Sequence, residues 1–488
     1  MERKPQVLTG VSVDQFLQGL QIEGMDSHSF LDLDADLMLA TVYAALPNPP
    51  VSLAAPLTAA RAWVHGDRVD RISRPPRGRR PPPCLALAPC RRPGLEESRA
   101  VTATVSHILA AHTGPFRAVH LTCNYMDAHR AELARWLHLL AAKGVQDLAF
   151  VNRPWPCDLR LPGELFRCAS LTRLYLGIWR FPDTGALPRG TAFPNLRELG
   201  LCFNVIEDRD LSFLLTKSPT LETLSVNSSQ SGLRICLISR SLRTVQFCVT
   251  IVQDITVVDA PLLERLLLWQ DWGSSMESAS RHSRVKIGHA PKLRVLGYLE
   301  PGTHGLELGN AIIKPETKAT PSTIVGSVKI LALEVKFRVR DEVKMLPSFL
   351  KCFPNIERLY VQSETSDETG GKLNLTFWQE AGAIDCVQRS LKELVFHEFK
   401  GSRNELAFLR FIAERAQILE KMVISVTQGC CASKDQAATT MKAIMASVNW
   451  ASADCKLTVY GSPFDEGSSP GWTFQGAFDV PDGDPFYY

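Results

Sequence analysis

The sequence predicts an α/β solenoid, a curved stack of short irregular repeats sharing one continuous parallel sheet. Three observations predict it. First, an eight-residue frame opened by Pro, with apolar residues third, sixth and eighth, recurs at Pro194–Leu201, Pro219–Val226, Pro261–Leu268, Pro291–Tyr298 and Pro354–Val361. Second, looser copies run from Leu171 to Leu176, Leu242 to Phe247, Val328 to Leu333, Leu391 to Phe396 and Leu419 to Ile424, with Phe116 to Leu121 and Val145 to Phe150 ahead of them. Third, the first anchors of these twelve units (116, 145, 171, 196, 221, 242, 263, 293, 328, 356, 391, 419) are 29, 26, 25, 25, 21, 21, 30, 35, 28, 35 and 28 residues apart.

This is leucine-rich-repeat spacing, stretched to about 21–35 residues in places. The last two anchors of each frame are two apart, so both face one side of a short strand, while the first turns inward from the preceding loop. A buried anchor is worth roughly 1.5–3 kcal/mol, and ordering costs about 1–2 kcal/mol per residue. No unit covers its own apolar face, so stacking is what folds the chain.

Residues 11–38 carry Asp14, Glu23, Asp26, Asp32, Asp34 and Asp36 and no Lys or Arg, interleaved with Phe16, Leu17, Leu20, Phe30, Leu31 and Leu33. The segment reads as a solvated acidic helix or loop on the first repeats, or as an interaction tail. Residues 47–66 are a Pro- and Ala-rich linker. Residues 74–93 hold six arginines, seven prolines and no acid. Proline removes backbone donors and clashes with the preceding turn, which forbids a helix. Without aromatics for base stacking, an Arg/Pro linker is favoured over a nucleic-acid patch.

Order begins at Thr102. Val105, Ile108 and Leu109 recur at helical spacing, and Gly114-Pro115 breaks that helix before a strand from Arg117 to Leu121. A helix from Asp127 to Lys143 follows, with Leu133, Trp136, Leu137 and Leu140 as its stripe and Gly144 as its cap. Leu211, Leu214 and Leu215 mark another after Glu207-Asp208, whose carboxylates suit a helix N-terminus. A strand inside and a helix outside each turn is the expected arrangement.

Net charge is +3, with 45% apolar and 22% charged residues, so nothing global draws the chain to nucleic acid or membrane. No apolar run reaches membrane-span length, and no basic patch with an apolar core opens the chain; a nuclear or cytoplasmic location is expected. Thirteen cysteines at unequal spacings, including Cys123, Cys168, Cys202 and Cys248 beside buried positions, read as reduced core thiols. Asn227-Ser-Ser229 and Asn374-Leu-Thr376 read as chance matches to the glycosylation pattern.

Enzyme signals are weak. Gly467-Ser-Ser-Pro-Gly471 matches a nucleophile elbow literally, but Pro470 blocks the required helix and no histidine follows. His107, His112, His120, Cys123, His129 and His138 contain no pair at the four-residue helical spacing of a metal site. No Gly-rich phosphate loop appears, so no catalytic, cofactor or metal site is predicted.

A protein-binding face is. Alternation along the strands turns Arg173, Tyr175, Thr223, Ser225, Gln246, Arg265, Leu267, Trp269, Arg358, Tyr360, Gln362, Glu393 and His397 toward the concave surface. Leu267 and Trp269 are apolar there, either as binding hot spots or as residues buried beneath a segment such as 271–283.

The block from Arg389 to Ile424, with Gly114 to Leu121 and Phe193 to Gly200 before it, resembles plant F-box/LRR proteins that end in an FBD domain. The resemblance implies residues 101–385 as repeats, 386–455 as an FBD-like repeat and cap, 456–488 as a tail, and 1–100 as an acidic then Arg/Pro-rich segment with an F-box remnant. In that family the F-box docks on the Skp-type adaptor of a cullin ubiquitin ligase while the repeats receive a protein target. The implied role is substrate receptor; a repeat scaffold without a ligase is the alternative. Asp70-Arg-Ile-Ser73 resembles the opening of an F-box, but Arg74 to Pro83 then departs from the pattern, so this chain is expected to bind the adaptor weakly or not at all.

Overall fold

The computed structural model describes residues 95–461, apart from 125, 154–158, 228, 230–231, 249, 251, 270–282, 365–376, 428–440, 442 and 446. The acidic stretch 11–38, the linker 47–66, the Arg/Pro run 74–93, Asn374 to Thr376 and Gly467 to Gly471 lie outside the described residues.

The strands are β1 (Ala118–Asn124), β2 (Asp147–Arg153), β3 (Arg173–Gly177), β4 (Glu198–Cys202), β5 (Thr223–Asn227), β6 (Leu233–Ile238), β7 (Thr244–Cys248), β8 (Val252–Asp259) and β9 (Arg265–Trp269). They continue with β10 (Ser283–His289), β11 (Val295–Leu299), β12 (His304–Leu308), β13 (Ala311–Ile312), β14 (Ile330–Val335), β15 (Arg358–Ser363), β16 (Glu393–Phe399), β17 (Lys421–Val426) and β18 (Lys456–Gly461). The helices are α1 (Leu95–Ala111), α2 (Arg130–Ala142), α3 (Asp208–Lys217), α4 (Arg340–Cys352), α5 (Phe377–Glu380), α6 (Asp385–Arg389) and α7 (Arg403–Arg415).

One 13-stranded parallel sheet runs β1-β2-β3-β4-β5-β7-β9-β11-β14-β15-β16-β17-β18. Its first twelve strands each begin two residues after one of the predicted first anchors. All twelve anchors, from Phe116 to Leu419, are 0–1% exposed. The strand anchors form two ladders behind the sheet, for example Leu174–Leu199–Leu224–Val245–Leu266 and Leu176–Leu201–Val226–Phe247–Leu268, the second shifting at β11, where Leu299 and not the expected Tyr298 faces the core. β18 continues the sheet past the boundary at 455, so residues 456–461 are repeat, not tail. Its frame was illegible because Asp454 stands where an apolar first anchor belongs. At the other end α1 starts at Leu95, ahead of the expected Thr102, and packs on α2: Trp136 Nε1 donates to Ser106 Oγ at 2.8 Å and Lys143 Nζ to the Leu109 carbonyl at 2.8 Å.

The outer layer departs from a helix in every turn. Helices cover the two ends, but β13-β12-β10-β8-β6 form a second sheet behind the middle repeats. Repeat length explains β6 and β8, but not β10 and β12, which lie in steps of 30 and 35 residues. A helix rises about 1.5 Å per residue and a strand about 3.3 Å, so crossing the same width takes about twice as many residues as helix. The 21-residue steps at 221, 242 and 263 leave room only for a strand. Leu233, Ile235 and Leu237 alternate inward with Arg234, Cys236 and Ile238 outward. A parallel sheet normally has both faces covered; here the outer face carries an ion-pair lattice, with Arg284 2.9 Å from Asp254 and 3.4 Å from Glu307, Lys286 2.5 Å from Glu307, and His289 2.7 Å from Asp259.

Polar groups seal several of the turns that follow the strands. Asn204, 1% exposed, accepts the Trp179 N–H at 2.9 Å and donates to the Leu176 carbonyl at 2.9 Å. Thr250 takes this place two repeats later, accepting from the Ser229 N–H at 3.3 Å. Acids at the start of the outer helices complete the seal. Asp210, Glu342 and Glu405 each lie nine residues beyond a strand anchor (Leu201, Leu333, Phe396) and are 3%, 8% and 1% exposed. Glu342 accepts the Lys336 N–H at 2.9 Å, and Glu405 accepts from Ser402 N at 2.6 Å and Ser363 Oγ at 2.5 Å.

Cys168, Cys202, Cys248, Cys352 and Cys386 are free and buried. Burial raises the thiols of Cys168, Cys352 and Cys386 to about 12, so they stay protonated as core groups. Asn227, 3% exposed within β5, leaves no room for a glycan.

Burial raises the Glu342 carboxyl from 4.5 to about 7, against the opposing pull of the Lys336 N–H and ammonium. The folded chain therefore holds this proton more tightly than the unfolded one, and stability from this group is lost as pH rises from 4.5 through 7. Glu342→Gln keeps the acceptor and removes the titration, so its urea midpoint should flatten across that window relative to the parent, a differential of up to roughly 3 kcal/mol. At the C-terminal end, Phe408, Leu409, Phe411 and Ile412 bury α7 on the last repeats. Ending the chain after Ser390 should give aggregated protein in size-exclusion chromatography.

Candidate protein-binding surface

Rows of side chains cross the concave side in register. The first runs Asp147, Arg173, Glu198, Thr223, Thr244, Arg265, Val295, Ile330, Arg358, Glu393, Lys421, Lys456. It is charged at both ends and apolar in the middle. At one end Arg173 pairs with Asp147, whose hydrogen bond raises the guanidinium pKa, and Tyr175 Oη donates to Glu198 at 2.8 Å. At the other, Glu393 sits 3.5 Å from Arg358 and 2.8 Å from Lys421.

The next row inward carries Tyr175, Gly200, Ser225, Gln246 and Leu267, then Gly297 at the bulge in β11, then Ala332, Tyr360 and Val395. Gly297 is required there: its φ is +147°, and a Cβ would stand 2.5 Å from the Ala332 Cβ and carbonyl. Leu267, Val295, Tyr298, Ile330, Ala332, Tyr360 and Val395 form an apolar cluster of their own, separate from the core behind the sheet. His397 stacks on Tyr360 at 6.4 Å, and burial lowers its pKa.

The predicted face is thus divided by accessibility. Arg173 is exposed, and Thr223, Arg265, Arg358, Gln362, Glu393 and His397 are half-buried. Tyr175, Ser225, Gln246, Leu267 and Tyr360 are buried. Leu267, 7% exposed, is therefore a packed residue and not an open hot spot. Trp269 is placed by its backbone, in register with Cys248, and its side chain lies outside what is described. Sequence reasoning missed Val295, Ile330 and Lys421, which alternation along their strands marks as concave; it also took Tyr298 as a core-side anchor, whereas the bulge in β11 turns Tyr298 into the concave cluster and gives its place in the core to Leu299. It also missed an acceptor: Gln246 Oε1 meets no donor among the described residues. A buried acceptor left over is where an incoming N–H gains most.

Among the described residues, no group of three or more His, Cys, Asp or Glu is arranged to hold a metal. No helix among them is long and apolar enough to cross a membrane.

Two family descriptions fall on this architecture. Residues 133–361 match the LRR repeats of FBD-associated F-box protein At5g56370, and residues 379–424, from α5 through β16 and α7 to β17, match FBD. The chain thus carries the LRR repeats and the FBD of plant F-box/FBD/LRR-repeat proteins. Among these, the F-box/FBD/LRR-repeat protein At1g13570 of Arabidopsis thaliana is 25% identical over 331 residues, 66% of this chain and 75% of that protein. F-box/LRR-repeat protein 13 of the same plant is 23% identical over 328 residues, 60% of this chain and 69% of that protein. In this chain the FBD is structurally the last turns of the solenoid, because β16 and β17 pair in the common sheet.

Leu267→Lys should lower the unfolding free energy by about 3 kcal/mol or more in urea, since it forces a charge among apolar neighbours. Thr223→Lys on the half-buried row should stay within about 0.5 kcal/mol.

Proposed function

We propose that this chain is the substrate-recognition subunit of an SCF-type cullin ubiquitin ligase, taking a protein target on the concave sheet in the nucleus or cytoplasm. The proteins it resembles are of the F-box protein-interaction type, and its own repeats supply a binding surface. The observation that carries the reading is the unbroken sheet, whose concave side offers charged groups at both ends and a buried acceptor, Gln246 Oε1, between them. Side chains on rigid parallel strands hold such groups in fixed positions, which favours recognition of one target.

A second reading, a repeat scaffold without a ligase, is favoured by one feature. Residues 74–93 offer seven prolines, six arginines and only Cys84, Leu85, Leu87 and Cys90 as larger apolar groups. An adaptor interface needs on the order of 1,000 Å² of complementary surface. Co-expression with a Skp-type adaptor separates the two. Stoichiometric co-purification that is lost on deleting residues 1–94 supports the ligase reading; no co-purification, with capture of a target retained, supports the scaffold. In either case Arg173→Glu should reduce target capture about tenfold or more, some 1.4 kcal/mol, while Arg284→Glu on the outer sheet should leave it unchanged.

A further inference from the structure

The residues that enter the strands of the main sheet line one rim of the arc, each N–H bonded to the carbonyl of its counterpart one strand earlier. From Arg197 these bonds pass through Glu222, Arg243, Glu264, Arg294, Lys329, Glu357 and Lys392 to Glu420, at 2.8–2.9 Å throughout. Charge alternates along the rim, and the pairs close: Arg197 with Glu222 at 3.4 Å, Arg243 with Glu264 at 2.7 Å, and Glu357 with both Lys329 at 3.0 Å and Lys392 at 3.5 Å. The alternation breaks between β11 and β14, where Arg294 and Lys329 stand side by side. Opposite charges on neighbouring strands stabilise a sheet and like charges directly opposite destabilise it, so this step lacks a carboxylate. Glu264 and Glu357 already serve Arg243 and Lys392, and Arg294, exposed, pairs with no carboxylate among the described residues. The concave row just inside adds two cations and no acid over the same strands, as Arg265, Val295, Ile330 and Arg358.

We infer that this step, Arg294 and Lys329 with Arg265 and Arg358 beside them, docks a short acidic segment of a partner protein, whose carboxylates complete the ladder. The inference rests on the proposed role of the repeats as a protein receptor and narrows its partner to one with clustered Asp or Glu. Size and charge both favour such a segment. Three strand spacings separate Arg265 from Arg358, about 14 Å, which is the length of about four extended residues. Side chains of Lys329 and Arg358 are 40% and 43% exposed, so the cations are open to an incoming group. A nucleic-acid backbone repeats its charge along its whole length and fits less well, because Glu222 and Glu264 on one side and Glu357 and Glu420 on the other border the step.

The test titrates a fluorescein-labelled hexaglutamate peptide with the full chain and reads anisotropy beside a matched hexaglutamine peptide. Saturable binding of hexaglutamate alone is expected, weakening as ionic strength rises from about 0.01 to 0.15 M and the screening length contracts from about 30 to 8 Å. R294E/K329E should weaken it about tenfold or more, and Arg294→Gln, which breaks no ion pair among the described residues, about threefold with an unchanged urea midpoint. Arg284→Glu on the outer sheet should leave it unaltered. Equal binding by the parent and these Arg294 variants overturns the inference, as does no binding by the parent. Tighter binding of a single-stranded oligothymidylate, lost in the same variants, overturns it in favour of nucleic acid. The receptor reading fails separately: if Arg173→Glu leaves target capture intact while hexaglutamate binding still depends on Arg294 and Lys329, the docking site stands without it. If Arg173→Glu reduces capture while R294E/K329E binds hexaglutamate as the parent does, only this inference falls.

Discussion

The structure depends on one constraint: no repeat can bury its own apolar face. Leu199 and Leu201 of β4 are covered only because Leu174 and Leu176 lie in register on one side and Leu224 and Val226 on the other. The same ladder continues to Met422 and Ile424 of β17 and passes to Leu457 and Val459 of β18. Each anchor contributes its roughly 1.5–3 kcal/mol only when both neighbours are in place. This is why the FBD residues are a continuation of the stack, and why α1 and α2 must close the first turn.

Within that constraint the rest of each turn is free to vary, provided its polar backbone is satisfied. Asn204 answers for two backbone groups, Thr250 serves the middle repeats with a hydroxyl, and Glu342 and Glu405 serve the last ones from the start of a helix. The outer layer changes likewise, from helices to β6, β8, β10 and β12 and back again. Both substitutions keep the sheet intact. The carboxylate solution has a cost the amide lacks, because a buried acid resists ionisation, and Glu342 brings that resistance close to neutral pH.

The concave face follows from the same register. Identical spacing in every repeat aligns side chains into rows, so a change of residue type along a row becomes a change of surface chemistry along the arc. Arg173 and Glu198 at one end and Arg358, Glu393 and Lys421 at the other frame the apolar stretch at Leu267, Ile330 and Tyr360. A solenoid of this family can retune its partner by substitutions in these rows without touching the anchors behind them. Such separation lets an adaptor-type protein diversify its targets on one scaffold.

The sequence by itself determined the repeat register and the parallel sheet. Apolar anchors at positions 3, 6 and 8 of the frame are local facts, and alternation along a strand turns them into a core side and an open side, from Phe116 to Ile424. It also held readable signs of the second sheet in the alternation at Leu233, Ile235 and Leu237, and of a seal in the Asn204 that follows Leu201. Tertiary structure alone decided how much of the open side is accessible. Leu267 and Tyr360 have the same strand position as Val423, yet the first two are buried and the third is half-buried. Burial on that face depends on which side chains the adjacent strands bring alongside, and contact between residues so far apart in sequence leaves no trace in a local pattern. The strand β18 escaped notice for the opposite reason: its place is set by the free edge of β17, which accepts Lys456–Gly461 even though Asp454 breaks the frame.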